Sequence, residues 1–151
     1  MPELRKIFRL AKPRDLHQLN RISYASKSFW DYPEEWLNKW KSDLEVSQRD
    51  IEEQNILVAI IEDRIIGFCQ IKEEINKFEI NHLWILPRHM GQGIGRELLN
   101  AAIDTLTSGT KQIEVLADPN AEAFYQKQGF VTFSKVESYP KGRYLPLMRK
   151  Q

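Results

Sequence analysis

Cysteine is almost missing from this 151-residue chain. Cys69 stands alone, which excludes an intramolecular disulfide and a CxxC metal motif together. Histidine is scarce as well, and His17, His82 and His89 show no zinc-ligand spacing, so no metal is expected. No apolar run approaches the ~20 residues that span a bilayer, and the opening Met1 to Lys6 does not read as a signal peptide. The expectation is a soluble chain of a reducing, cytoplasmic compartment with no membrane partner. Neither sign of charge dominates: 22 Lys plus Arg stand against 21 Asp plus Glu, a net charge of +1. General nucleic-acid binders show a more basic balance, so no nucleic-acid partner is expected. The pattern Gly-x-x-x-x-Gly-Lys-Ser/Thr is absent, which excludes a P-loop, and no Gly-x-Ser-x-Gly elbow exists. No repeat, low-complexity stretch or long linker interrupts the chain, which reads as one domain over residues 1–151.

What is present suits a packed core: 42% of residues are apolar or aromatic and 28% are charged. Leu4, Ile7, Phe8 and Leu10, studded with Arg5, Lys6 and Arg9, read as a strand at a sheet edge. Leu16, Leu19 and Ile22 recur at helical spacing to about Ser26, and Asp31 to Glu35 opens a second helix carrying Trp36, Leu37 and Trp40. Residues 44–55 are polar and carry no pattern. Ile56–Ile61, Ile65–Ile71 and Phe78–Leu86 read as three strands joined by polar turns, the last stopped by Pro87. Ile94, Leu98, Ala102 and Leu106 line one face of a helix from Gly93. A strand at Ile113–Leu116, a helix capped by Asn120, and strands at Phe130–Val136 and Tyr144–Met148 complete an α/β domain with a mixed sheet.

The junction between the third strand and the clearest helix is the most informative segment. Gly91, Gly93 and Gly95 follow the strand and open the helix. Glycine lets a bulky anion approach backbone amides, and the free N–H groups of a helix start bind phosphate. The same glycines also suit a simple chain reversal. Their spacing and mid-chain place argue against a dinucleotide-binding βαβ unit.

Strand, Met90-Gly91-Gln92-Gly93-Ile94-Gly95, amphipathic helix, and then Asp118 to Phe130 about 20 residues later resemble the GNAT superfamily of acyl-CoA-dependent N-acetyltransferases. The family's pyrophosphate loop reads Arg/Gln-x-x-Gly-x-Gly/Ala; Met90 departs from its first position, and Arg88 or Arg96 stands near enough to contact phosphate instead. The resemblance spans residues 56–135 best. It implies a mostly antiparallel mixed sheet flanked by helices, with acetyl-CoA as acyl donor held by Met90, Gly91, Gln92, Gly93, Ile94, Gly95 and Arg96. It also implies that backbone groups of Leu83, Trp84 and Ile85 pair with the pantetheine arm. The helix from Asn120 would lie beside that arm and Tyr125 would point at the thioester sulfur, although Phe124 and Tyr125 also fit a pair of core aromatics.

The activity implied is transfer of acetyl to a primary amine of a small molecule or peptide by direct attack. Only a neutral amine has the lone pair for this, so a base must take its proton. Glu79, six residues before Ile85, matches the base glutamate of histone-acetyltransferase-like members, and also fits a solvated strand start. His82 is a second candidate, with an ordinary pKa of about 6.5, and a water chain is a third. Period two puts Glu79, Asn81, Leu83 and Ile85 on one strand face and Phe78, Ile80, His82 and Trp84 on the other. Trp30 and Tyr32 lie in an aromatic stretch that would flank the acceptor, and Tyr139 to Arg143 reads as a hairpin turn near it. A homodimer is among the expectations, since many relatives form one. A non-catalytic acyl-CoA-binding module, or a partner-binding protein using the basic start from Arg5 to Arg14, is the competing reading.

Overall fold

The computed structural model describes residues 5–151; Leu4 of the expected first strand lies outside them. Seven strands form one sheet in the order β1-β2-β3-β4-β5-β7-β6. Their ranges are β1 Lys6–Leu10, β2 Ile56–Ile61, β3 Arg64–Glu73, β4 Lys77–Ile85, β5 Gln112–Leu116, β6 Phe130–Glu137 and β7 Tyr144–Lys150. Every neighbouring pair is antiparallel except β4 with β5, which run parallel. Charged β1 does sit at an edge.

Five helices flank this sheet: α1 Leu16–Ser28, α2 Glu34–Leu44, α3 Gln48–Glu52, α4 Ile94–Leu106 and α5 Glu122–Lys127. The unpatterned stretch before β2 hides the short α3. Its start is fixed by Ser47, whose side chain accepts from the Asp50 amide while the Asp50 carboxylate accepts from the Ser47 amide. The expected cap at Asn120 is corrected. Asp118 accepts from the Asn120 amide at the head of a short 3-10 turn, and α5 begins only at Glu122. Aspartate wins because Pro119 occupies the first turn position, where its missing N–H costs nothing.

The core divides by sheet face. Leu98, Leu99 and Ala102 of α4 join Cys69, Ile71, Phe78, Ile80, Ile85, Tyr125, Phe130 and Met148 on one face. On the other, Leu19 and Ile22 of α1 pack with Val58, Phe68 and Ile51, and Leu37, Trp40 and Leu44 of α2 form a smaller group that reaches Trp84. The strict alternation expected along β4 fails for a visible reason. Gln70 pairs with His82 but Ile71 pairs with Ile80, so Asn81 is an extra residue, a β-bulge. The parity resets there. Phe78 and Ile80 share the α4 face with Leu83 and Ile85, while Glu79 shares the α1 face with His82 and Trp84.

Close approach of β3 to β4 requires one glycine. A Cβ on Gly67 would lie 2.5 Å from the Trp84 carbonyl oxygen and 2.6 Å from Ile85 Cδ1. The Ile85 methyl can swing aside, but the Trp84 carbonyl is backbone and cannot retreat without shifting β4. We expect Gly67→Ala to destabilise the protein by about 1–3 kcal/mol, read as a lower midpoint in chemical denaturation.

Candidate active site

β4 and β5 part company. Their parallel pairing runs only from Lys77 with Gln112 to Ile80 with Val115, although β4 continues to Ile85. The bulge at Asn81 coincides with the parting, as expected of a feature that bends a strand and ends its pairing. The Leu86 amide donates to the Ile66 carbonyl, so the hydrogen-bonding groups of Leu86, and by alternation of Trp84, face β3. Those of Leu83 and Ile85 turn toward the parting. Trp84 is therefore corrected: of the three expected backbone contacts, its amide belongs to the β3 ladder and its side chain packs toward α1 and α2.

The glycine loop stands at the open end. Gly91 and Gly93 adopt φ of 78° and 81°, a conformation disfavoured for residues with a Cβ. Gly93 is the residue before α4, and the first helical bond runs from the Glu97 amide to the Gly93 carbonyl. The amides of Ile94, Gly95 and Arg96 thus have no intrahelical acceptor and point out of the helix start. A Cβ on Gly93 would lie 3.9 Å from an Arg96 guanidinium nitrogen, so a cation folds back over the cradle. Gln92 is exposed beside it, whereas the Met90 side chain packs against the core and leaves only its backbone to the loop. Gly95 fits the start of α4 against Phe124 and Ile85.

Tyr125 lies in the α4-face core, in edge contact with Phe124 and Phe130 at ring centroid distances of 5.2 and 5.3 Å. Its hydroxyl makes no hydrogen bond among the described residues, and burial pushes its pKa up, so it stays protonated. Burial likewise raises the Cys69 thiol, which makes it an inert core residue.

The two base candidates separate. His82 is 7% exposed, and burial pushes its pKa down to about 4. Its Nδ1 accepts from the Trp84 indole N–H at 2.9 Å, which places its proton on Nε2. It is a neutral core residue. Glu79 is half-buried at the apex of the parting, on the α1 face, with Lys77 Nζ 4.0 Å from its carboxylate. Beside it, buried Glu114 pairs with Lys77 at 3.2 Å and with Arg149 at 3.3 Å.

On the α1 side the parting is bordered by a polar hub that sequence reading did not assemble. Ser26 donates to the Ile85 carbonyl at 3.0 Å, and the next residue, Lys27, pairs with Asp118, two residues beyond β5. Asp118 also accepts from the Tyr32 hydroxyl at 3.0 Å and from Arg143 at 3.3 Å. Tyr32 in turn accepts from Asn120 Nδ2 at 3.0 Å and Arg143 at 3.1 Å. Both cations lie over Trp40, Lys27 at 4.7 Å and Arg143 at 4.5 Å from ring centroids. Burial alone would raise the Asp118 pKa, but Lys27 and the hydrogen bonds hold it below the usual carboxylate value. Of the expected acceptor aromatics, Tyr32 enters this hub, while Trp30 stays outside it, 42% exposed and packed on Phe29. The hairpin between β6 and β7 does reach the site, through Arg143. The Trp40 indole N–H further ties the hairpin by donating to the Tyr139 carbonyl at 3.2 Å. Among the described residues, no three His, Cys, Asp or Glu side chains gather as a metal site would require, and no helix is long and apolar enough to cross a membrane.

A mixed sheet parted between its two parallel strands, with a glycine-initiated helix at the open end, defines the architectural class as a single-domain α/β fold. The chain belongs to the Acetyltransferase (GNAT) domain family, whose pattern it matches over residues 21–151. It is 33% identical over 69 residues to an uncharacterized N-acetyltransferase, ycf52-like, of Prochlorococcus marinus, covering 44% of this chain. The match spans 38% of that relative's length. Among solved structures it resembles the PaiA N-acetyltransferase of Thermoplasma acidophilum in complex with coenzyme A. That likeness has a TM-score of 0.78 and 22% identity, over 97% of this chain and 99% of the other. A GNAT protein of Rhodopseudomonas palustris gives a TM-score of 0.78 at 23% identity, over 95% and 94% of the two chains. At these identities the structural likenesses establish the fold.

His82 sets a pH dependence. Its folded pKa lies below the ordinary value of about 6.5, so the unfolded chain binds the proton more tightly. The associated stability is complete above about pH 6.5 and is lost as pH falls toward about 4. Urea midpoints are expected to decline across this interval, and His82→Gln to flatten the decline; an unchanged slope would contradict the assignment.

Proposed function

We propose that this chain transfers an acetyl group from acetyl-CoA to a primary amine by direct attack across the β4–β5 parting. The observation that carries the reading is the juxtaposition of that parting with the N-terminal amides of α4 at its open end. The amides of Ile94, Gly95 and Arg96, with the helix dipole behind them, suit a pyrophosphate. Gly91 and Gly93 keep that approach free of side chains, Arg96 adds positive charge, and Gln92 borders the loop. Leu83 and Ile85 offer backbone groups to the amides of a pantetheine arm, whereas the expected cofactor contact at Asn120 is corrected, since its side chain is engaged with Tyr32 in the hub. Coenzyme A in the Thermoplasma acidophilum relative supports the same carrier here.

The donor enters past α4, so the acceptor approaches from the opposite sheet face, the side of α1, α2 and the β6–β7 hairpin. The amine nitrogen bonds to the acyl carbon as the carbon–sulfur bond breaks. Tyr125, kept protonated by burial, donates a hydrogen bond or proton to the departing sulfur. Glu79 lies on the acceptor face and takes the amine proton, directly or through water. His82 is unsuited to this role because its acceptor nitrogen is already bonded to Trp84. Holding both reactants in one cleft supplies much of the acceleration through proximity.

Calorimetric titration with acetyl-CoA, with ATP as control, tests the donor site. We expect micromolar binding of acetyl-CoA only, and at least ~10-fold weaker binding by Gly93→Asp, whose side chain would enter the cradle with unfavourable φ. Tyr125→Phe is expected to bind acetyl-CoA normally while thiol release with an accepted amine falls about 100-fold. Failure of folded protein to bind any acyl-CoA would overturn the proposal.

A further inference from the structure

The hub at the acceptor side has an imbalance that bears on what the enzyme acetylates. Lys27 and Arg143 are both cationic, and Asp118 is the single carboxylate between them. These three side chains are only 11%, 12% and 13% exposed, so solvent screens the surplus charge poorly. The donor count points the same way. Asp118 already accepts from Lys27, Tyr32, Arg143 and the Asn120 amide, and the Tyr32 oxygen accepts from Asn120 and Arg143. Arg143 has five N–H donors. Its bonds among the described residues go to Tyr32, Asp118 and, at 3.5 Å, Ser138. Lys27 bonds to Asp118 alone among its three donors. Donors and positive charge both exceed what the protein supplies to meet them.

We propose that Arg143, supported by Lys27, is a specificity-determining residue that selects amines whose far end carries a carboxylate and disfavours those carrying a second ammonium. This deepens the acetyltransferase reading and rests on it. The Arg143 guanidinium lies over the Trp40 ring, which Tyr32 meets edge-on at 4.9 Å, and its Nε–H makes no hydrogen bond among the described residues, which leaves a charged donor for a carboxylate. A second ammonium meets uncompensated positive charge instead, which is discrimination by repulsion as well as by attraction. The hairpin that carries Arg143 is tied to α2 through Trp40 and Tyr139, which fixes the guanidinium relative to α2. Amino acids and peptide-like amino acids are therefore the acceptor class, and diamines and polyamines are poor substrates.

A matched triad tests this: 6-aminohexanoate, hexylamine and 1,6-diaminohexane share a chain length and differ only in the far group. Thiol release and calorimetric binding to the CoA-saturated protein are measured for each. The expected order is aminohexanoate above hexylamine above diaminohexane, with at least ~10-fold between the extremes in kcat/KM or, without turnover, in Kd. Arg143→Gln should collapse that spread while leaving acetyl-CoA binding unchanged, and Arg143→Lys should restore part of it. Lys27→Met provides a second reading should the hairpin loosen in the glutamine variant. Equal or better use of the diamine, or an order unaltered by either variant, would overturn the proposal. Loss of acetyl-CoA binding by the unaltered protein would instead overturn the acetyltransferase reading.

Discussion

The parallel ladder between β4 and β5 ends after four residue pairs, and the site is arranged around that ending. A strand whose backbone groups lose their neighbour must have them met by something else, because unpaired buried amides and carbonyls are costly. Here the Ser26 hydroxyl meets the Ile85 carbonyl, α4 starts at the open end, and the segment after β5 turns away through Asp118. The bulge at Asn81 coincides with the parting and also decides which side chains face α4 and which face α1. Glu79 comes to the α1 face because one extra residue reverses the alternation of β4.

Two kinds of chemistry occupy the two sides of this opening. On the α4 side the ingredients are backbone amides, a helix dipole and glycines, which suit a multiply charged anion and need few side chains. On the α1 side they are ionised side chains, aromatics and one carboxylate. This asymmetry fits a common donor and a particular acceptor. The hub also has a structural role, since Asp118 joins α1, the turn before α2, the hairpin and the segment leading to Tyr125. Removing a single partner there leaves a buried charge unpaired, so stability and specificity are coupled at that point.

His82 illustrates how an attractive residue type can be an unsuitable one. A histidine near a reaction centre has the right intrinsic pKa for base catalysis, but burial against Phe68 and the Trp84 N–H remove both its basicity and its free acceptor. Glu79 has no such encumbrance. Its nearest cation is Lys77, which is closer to Glu114 than to Glu79.

Much of the fold was legible in the chain because it is written locally. Apolar runs marked β2 and β3, four-residue spacing marked α4, Pro87 closed β4, and Gly91 and Gly93 announced backbone conformations that other residues avoid. The helix carrying Tyr125 was legible from the segment Asp118 to Phe130, and the burial of Tyr125 beside Phe130 matches the reading of a core aromatic. The bulge at Asn81 was not legible, since it exists only in the register of β4 against β3. Nor was the hub, whose Lys27 and Asp118 are 91 residues apart and whose Arg143 lies 25 residues beyond Asp118. Each of those residues alone reads as an ordinary surface charge. Periodicity and backbone stereochemistry act between near neighbours, and so the sequence alone determined most of the elements and the glycine loop before α4. Pairing register and the meeting of distant charges are properties of the assembled sheet, and only the tertiary structure decided the bulge in β4 and the hub of Lys27, Asp118 and Arg143.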